Sequence, residues 1–584
     1  MNLFKFILVR FYFVFLLVVV TSPIVAQNFL SARGKYIIDE RGRPVILKGV
    51  GLGGYMLKEG YMMKVPFEGQ QYVFEQNVEA LVGKSKAQNF YKSWLQNHLT
   101  KVDIDSLKSW GFNSVRLPMH YKLFTLPVEK EPIKGLDTWL DTGFELTDSL
   151  LKWCKANEMY LILDMHSTPG GQGHDLPISD RDPQSPSLWQ SEANQNKLMN
   201  LWAKIALKYR DEIYIGGYDL INEPNWGFQD STDKSGGKEK LNEPLRNLLI
   251  KITKAIRAVD RNHLIIIEGN GWGNNYQGVL PPWDNNMAVS FHKYWTINSQ
   301  ESIKTFLDIR EKYNIPLWLG EAGENSNTWF NEAISLSQAN DIGWCWWPLK
   351  KIGFNNPLEI KMNEGYQAII NYWAGKGPRP DTTSAYNSLM ELALNTNAKN
   401  CIYHKDVIDA MFRQTKDSTT TPFSQHQLPG VINAVNYDMG KANEAYSDRV
   451  VSNLHITNAT GRVTWNDGRI YRNDGVDIAK DLKGSKEDLI VTNFETGEWL
   501  AYSLNVPAAH TYNLQLKVRK NDLKDNALIE IAIGNSIKHQ IQVGLLEDWK
   551  LSDVVTLKLT QGVNKLKIKV LKGNIQFKGF ELNQ

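Results

Sequence analysis

Eight short apolar runs, each ending in a polar or glycine-containing turn and most followed by a helix-like stretch, constrain this chain most tightly. They read VILKGV (Val45 to Val50), FNSVRLP (Phe112 to Pro118), YLILDMH (Tyr160 to His166), YIGGYDLIN (Tyr214 to Asn222), HLIIIEG (His263 to Gly269), MAVSFHKY (Met287 to Tyr294), PLWLGE (Pro316 to Glu321) and GWCWWPL (Gly343 to Leu349). Near-continuous Ile, Leu and Val suit parallel strands buried on both faces. Between them, DIDSLKSWG (Asp103 to Gly111) and NKLMNLWAKIALKYR (Asn196 to Arg210) carry amphipathic helical spacing. Eight strand-then-helix units predict an α/β fold, a closed (β/α)8 TIM barrel.

In such a barrel the chemistry sits at the carboxyl ends of the strands. Here those ends hold Arg116, His166, Asn222 with Glu223, Glu268, His292 with Tyr294, Glu321, and Trp346 with Trp347. Packing alone would place fewer ionisable groups there, since such side chains are seldom buried without partners. Glu223 and Glu321 come from strands four and seven, which face each other across the mouth. Two carboxylates so placed, flanked by Arg, His, Tyr, Asn and Trp, are the equipment for glycoside hydrolysis, the retaining form of which needs carboxyls about 5–5.5 Å apart. Glu324, three residues beyond Glu321, is the rival nucleophile but falls in the following loop.

Asn222-Glu223-Pro224, LGEAG (Leu319 to Gly323), RLP at Arg116, LDMHSTPGGQ (Leu163 to Gln172), the His292-x-Tyr294 pair and a strand-eight Trp together resemble glycoside hydrolase family five. The resemblance spans roughly residues 34–414, and Ala322 stands where that family commonly has a bulky aromatic. It implies Glu223 as general acid/base and Glu321 as nucleophile, aimed by Arg116 and the Tyr294 hydroxyl. It also implies that Asn222 binds the sugar 2-hydroxyl, His292 orients Glu223, His166 meets a sugar hydroxyl, and Trp347 rather than Trp346 floors the reacting subsite. Trp226, Trp272, Trp283 and Trp295 are candidate stacking platforms. In the long first connection, GVGLGGYMLKEGYM (Gly49 to Met62) is expected to shape one end of the cleft, with Tyr55 and Tyr61 blocking it. LDMHSTPGGQ is closest to the β-1,3-glucanase and β-glucosidase-like branches.

After the barrel the texture changes. TKDSTTTPFSQHQLPG (Thr415 to Gly430) is polar, Thr/Ser-rich and broken by prolines, which reads as a linker. WLAYSLNV (Trp499 to Val506), TYNLQLKVR (Thr511 to Arg519), VVTLKL (Val554 to Leu559) and KLKIKVL (Lys565 to Leu571) alternate with period two, predicting an all-β, jelly-roll-like sandwich. YRNDGVDI (Tyr471 to Ile478) and TGEWLAYSLNVPAAHTYNL (Thr496 to Leu514) resemble carbohydrate-binding modules of family six. That resemblance implies a sugar clamp of Tyr471, Trp549 and Asn574. Asn433, Val435 and Asn436 stand where the family carries acidic calcium ligands, which leaves a structural calcium open.

Lys5 and Arg10, the apolar Phe11 to Val20 and small residues up to Ala26 have the order of a secretory signal. The expected organisation is therefore a signal over 1–26, a catalytic barrel over 27–414, a linker over 415–429 and a carbohydrate-binding sandwich over 430–584. The three cysteines are widely spaced and lack metal-ligand spacing, so neither a disulfide framework nor a metal centre is expected. A net charge of +3 without a basic block excludes an evident nucleic-acid partner. The whole predicts a secreted, monomeric, cofactor-free retaining β-glycosidase acting on a β-glucan, with no membrane span once the signal is removed. A mannan- or glycosphingolipid-directed hydrolase on the same scaffold and a catalytically silent polysaccharide-binding protein are the alternatives.

Overall fold

A computed structural model describes residues 29–449, 466, 468–482, 488–520, 526–534, 537–544 and 547–584; the expected signal at 1–26 lies outside them. Eight parallel strands close into a barrel: β1 (Lys48–Gly51), β2 (Ser114–His120), β3 (Tyr160–Ser167), β4 (Ile215–Asp219), β5 (Ile265–Ile267), β6 (Met287–Lys293), β7 (Leu317–Gly323) and β8 (Gly343–Trp347). Closure comes from β8 pairing back onto β1, Trp344 against Lys48 and Trp346 against Val50. Each strand overlaps one of the eight apolar runs. Every residue of β2, β4 and β5 to β8 is buried, because helices cover one face and inward side chains fill the other.

The first connection is a small structure of its own. It holds α1 (Gln71–Val82), α2 (Lys84–His98) and α3 (Lys101–Trp110). At the start of α3 the Asp103 carboxylate accepts from the Thr100 amide and hydroxyl, and Gly111 closes its end in a left-handed turn (φ 108°) that favours glycine. The remaining connections carry α4 (Asp141–Ala156), α5 (Glu192–Tyr209), α6 (Glu243–Arg257), α7 (Lys304–Tyr313) and α8 (Asn327–Ala339). Leu245, Leu248, Leu249, Ile252 and Ile256 form the buried stripe of α6, spaced as a helix facing a core requires. Beyond β8 come α9 (Glu364–Trp373), α10 (Thr382–Asn395) and α11 (Lys405–Phe412). The first two of these pack on α1 and α2 through Phe74, Phe90, Trp94, Tyr366, Ile369 and Leu389, a second apolar cluster beside the barrel.

The C-terminal domain is two facing antiparallel sheets. One contains β9 (Gly430–Asn433), β10 (Leu489–Glu495), β12 (His510–Lys520), β15 (Val555–Leu559) and β17 (Asn574–Asn583); the other contains β11 (Trp499–Val506), β13 (Ala527–Ile533), β14 (Ile537–Val543) and β16 (Gly562–Lys572). Burial alternates along β15, as expected where one face meets a core and the other meets water. Leu514, Leu516, Ile529, Ile531, Ile568 and Phe577 lie in that core.

The polar stretch 415–429 is not an open tether. Thr421 and Met439 exchange backbone hydrogen bonds, Phe423 lies against the Lys405 ammonium and the Arg472 guanidinium, and Leu428 packs on the sandwich core. A few apolar side chains among the threonines and serines give it somewhere to adhere.

Candidate active site

The strand tips converge on a pocket of about 540 Å³ whose lining includes His166, Glu223, His292, Tyr294, Glu321 and Trp347. Arg116 lies beneath it, completely buried, and gathers four carboxylates. Its Nε and Nη2 donate to Asp219 Oδ2 (3.0 and 2.8 Å), Nη2 also donates to Glu268 Oε1 (3.1 Å) and Asn222 Oδ1 (2.8 Å), and Nη1 donates to Glu321 Oε1 (2.5 Å). Asp164 Oδ1 is 3.3 Å from Nη2. Burial disfavours a charge here, but these anions outweigh it and keep the guanidinium protonated. Asp219, also buried and close to Glu268, is pushed well above the usual carboxylate range despite Arg116.

Glu223 follows β4 with its backbone in the left-handed region (φ 43°), uncommon for a residue with a side chain. Its amide donates to Glu268 Oε2 at 2.7 Å, and Asn225 Nδ2 donates to its carbonyl at 3.1 Å, which hold the turn. His292 Nδ1 is 2.6 Å from Glu223 Oε1 and 3.6 Å from Glu321 Oε2, while Nε2 is 3.1 Å from Glu268 Oε1. Burial opposes charging this imidazole, yet Glu268, Glu321 and Glu223 together raise it well above its ordinary value. Burial pushes Glu268 upward; His292, Arg116 and the Glu223 amide overcome this and bring it to about 2.

Both oxygens of Glu321 are held, Oε1 by Arg116 and Oε2 by the Tyr294 hydroxyl at 3.0 Å. A carboxylate oxygen of Glu223, a ring nitrogen of His292 and a carboxylate oxygen of Glu321 all lie within 4.8 Å of one another, so the two carboxyls face each other at close range.

His166 Nδ1 is 2.7 Å from Asp164 Oδ2, its Nε2 is 3.2 Å from Asn222 Nδ2 and 3.6 Å from Glu59 Oε1, and its ring stacks on Trp347 at 5.1 Å. Burial is again outweighed, by Asp164, Glu59 and Glu321, and this imidazole rises to about 10. Trp347 Nε1 donates to the Tyr61 hydroxyl at 3.0 Å, whereas Trp346 is wholly buried against Trp329 and Phe330.

Several expectations for the rim need correction. Tyr61 does line the pocket, but Tyr55 is buried against His98 and blocks nothing. Trp272 and Trp295 border the pocket; Trp226 stacks on His174 and Arg181, and Trp283 packs beside Arg246, because their loops turn back onto the barrel rim. Glu324 points into the pocket wall, where it pairs with Lys351 at 2.7 Å. Glu59 was not anticipated. It lines the pocket floor next to His166, and burial, reinforced by Glu321 and Glu223 against the pull of His166, raises its carboxyl to about 7. Asp164 was also missed, although its position two residues before His166 on one strand put both on the same face.

In the sandwich, Tyr471, Trp549 and Asn574 neither bond to nor stack on one another. Tyr471 donates to Asn436 Oδ1 and meets Phe423 beside the barrel, Trp549 donates to Asp481 Oδ2 between Arg519 and Lys578, and Asn574 donates to Glu495 Oε1. The expected clamp is thus dispersed over three settings. At the suggested calcium position the single buried carboxylate, Asp438, is already met by the Lys565 ammonium at 2.6 Å and by the Ser503 amide and hydroxyl. That donor set does not fit a calcium ion, which takes six to eight oxygens.

Residues 74–352 match the cellulase family model, glycosyl hydrolase family 5. Residues 472–582 match the carbohydrate-binding module family 35 model, which replaces the family-six resemblance. The chain is similar to a β-xylosidase of Phanerodontia chrysosporium, 24% identical over 395 residues, covering 60% of this chain and 77% of that one. It is similar to endoglucanase C of Acetivibrio thermocellus, 23% identical over 332 residues, 46% of this chain and 89% of that one. It also resembles a probable glucan 1,3-β-glucosidase A of Aspergillus niger, 26% identical over 182 residues, 31% of this chain and 41% of that one. By these matches the protein is a glycoside hydrolase whose barrel is similar to glycosyl hydrolase family 5 and which carries a carbohydrate-binding module behind its catalytic domain.

Proposed function

We propose that this is a secreted, retaining β-glycosidase that cleaves a β-glucan by double displacement. Glu321 attacks the anomeric carbon as Glu223 gives its proton to the glycosidic oxygen; the C–O bond breaks and the alcohol leaves. Glu223, now a carboxylate, takes a proton from water, the water oxygen attacks the same carbon, and the ester bond to Glu321 breaks. Arg116 and Tyr294 aim Glu321, His292 orients Glu223, Asn222 meets the 2-hydroxyl, and His166 with Trp347 receives the reacting sugar.

The observation that carries this reading is the facing pair of Glu223 and Glu321, their oxygens within 4.8 Å. An inverting pair needs about 6.5–9.5 Å to admit a water between the carboxyls. The relatives named β-xylosidase and glucan 1,3-β-glucosidase support a β-linked substrate, and the one named endoglucanase supports a glucan. The test is proton NMR of fresh digests of cellulose, laminarin, lichenan, xylan and mannan. Release of β-anomer from a β-glucan supports the reading; initial α-anomer would refute retention, and turnover confined to mannan would move the substrate to the alternative named above. No turnover of any glycan would favour a silent binder.

A further inference from the structure

The loop after the Glu321 strand is completed by the other domain. Past Glu321 the chain passes Gly323, where an added Cβ would clash with the Trp347 carbonyl oxygen, and then Glu324 in the pocket wall, before α8 begins. The first amides of a helix have no partner within it. Here the amide of Asn327, first residue of α8, donates to the carbonyl of Asn473 at 2.7 Å. The Asn473 side chain donates to the Asn325 carbonyl and to Asn327 Oδ1, both at 3.0 Å. Its own amide and Asn327 Nδ2 both donate to Asp406 Oδ2 of α11 at 2.8 Å.

All four of these residues are buried, Asn473 completely. The sandwich fixes its end of the contact: the Arg472 guanidinium lies 4.0 Å from the Tyr437 ring and 4.4 Å from Phe423, and Nη1 donates to the Tyr437 carbonyl at 2.7 Å. Polar groups buried together in this way have no water to fall back on, so a shift of Asn473 must be followed by the loop or leave them unpaired.

We infer that Asn473 of the carbohydrate-binding module is a positioning residue for hydrolysis. It holds the Glu324–Ser326 loop, and through it the wall formed by Glu324, Lys351 and Tyr61 beside Trp347. The module is then part of the catalytic site and not solely an anchor on polymer. The inference rests on the placement of Glu321 and Glu324 in the reacting pocket.

The test uses the full chain and a soluble aryl β-glycoside taken from the active class, a substrate that an anchoring role cannot affect. Asn473→Ala and, on the barrel side, Asn327→Ala should each lower kcat/KM by about ten- to a hundredfold, up to the scale expected when a site is misplaced by about 1 Å from a distance. KM should rise. A merely structural defect would reduce the folded fraction and apparent kcat while leaving KM unchanged. Should Asn473→Ala fail to fold, Asn327→Ala retains the Asn473 carbonyl and gives the same reading. Folded variants with kcat/KM within about twofold of the parent, or with lowered kcat at unchanged KM, would overturn the inference. Glu321→Ala assayed beside them separates failures: if it stays active, the reading of the pocket is at fault and not the role of Asn473.

Discussion

Glu223 and Glu321 reach the same pocket under different restraints. Glu223 sits in a left-handed turn before proline with His292 at 2.6 Å, and Glu321 lies two residues before the end of its strand, with a donor on each oxygen. Glu223→Gln should therefore lower kcat/KM by about 10²–10⁴-fold on an alkyl glycoside. On an aryl glycoside with an acidic leaving group the first step should suffer far less, and equal first-step losses on both substrates would deny Glu223 the acid role. Glu59 adds a further carboxyl whose value rises to about 7 through burial. A raised carboxyl contributes stability that is fully present below its unfolded value near 4.5 and is lost as pH rises through the folded value. The parent should accordingly lose stability relative to Glu59→Gln between about pH 4.5 and 8, by an amount on the order of a few kcal/mol. Urea melts of both proteins at the two ends of that window check it; a constant difference would contradict the assignment.

At the scale of elements, buried charge ties the catalytic barrel to its additions. Asp103 of α3 caps its own helix and meets the Lys350 ammonium at 2.5 Å, both side chains fully buried, and Lys350 also donates to the carbonyls of His98 and Thr396. Asp103→Ala should destabilise the protein by about 3–5 kcal/mol, as removal of one partner strands the other charge in the interior. An unfolding midpoint close to the parent's would count against that. The eight strands were readable because parallel strands buried on both faces leave continuous apolar runs. Asp164 was readable through the two-residue strand period, with the signal present in LDMH. Glu59 was not, because only the folding of the long first connection brings it to His166, and no local pattern encodes that meeting. Tyr55 and Tyr61 illustrate the same loss: six residues apart in one segment, one is core and one lines the pocket.

For the molecule as a whole, composition marked a join between domains but not how that join is held. Threonine, serine and proline suggested a linker over 415–429, and Phe423 and Thr421 secure that segment to residues on either side. Limited proteolysis should leave this stretch uncut while exposed loops are cleaved, since nicking concentrates where backbone is unpaired and mobile. Early cleavage within 415–429 would mean that the docking is not maintained in solution. The likeness of the sandwich to a sugar-binding module was legible, whereas its binding residues were not: a clamp is a spatial relation among loops, and Tyr471, Trp549 and Asn574 each found other partners.

The central claim is that Glu321 becomes covalently joined to the sugar. It is tested most directly by incubating the enzyme with a 2-deoxy-2-fluoro β-glycoside bearing an activated leaving group, then mapping the labelled peptide by mass spectrometry. The expected result is one glycosyl adduct per chain on Glu321, absent from Glu321→Ala. An adduct on Glu324 or Glu59, or rapid turnover with initial release of the inverted sugar, would contradict it.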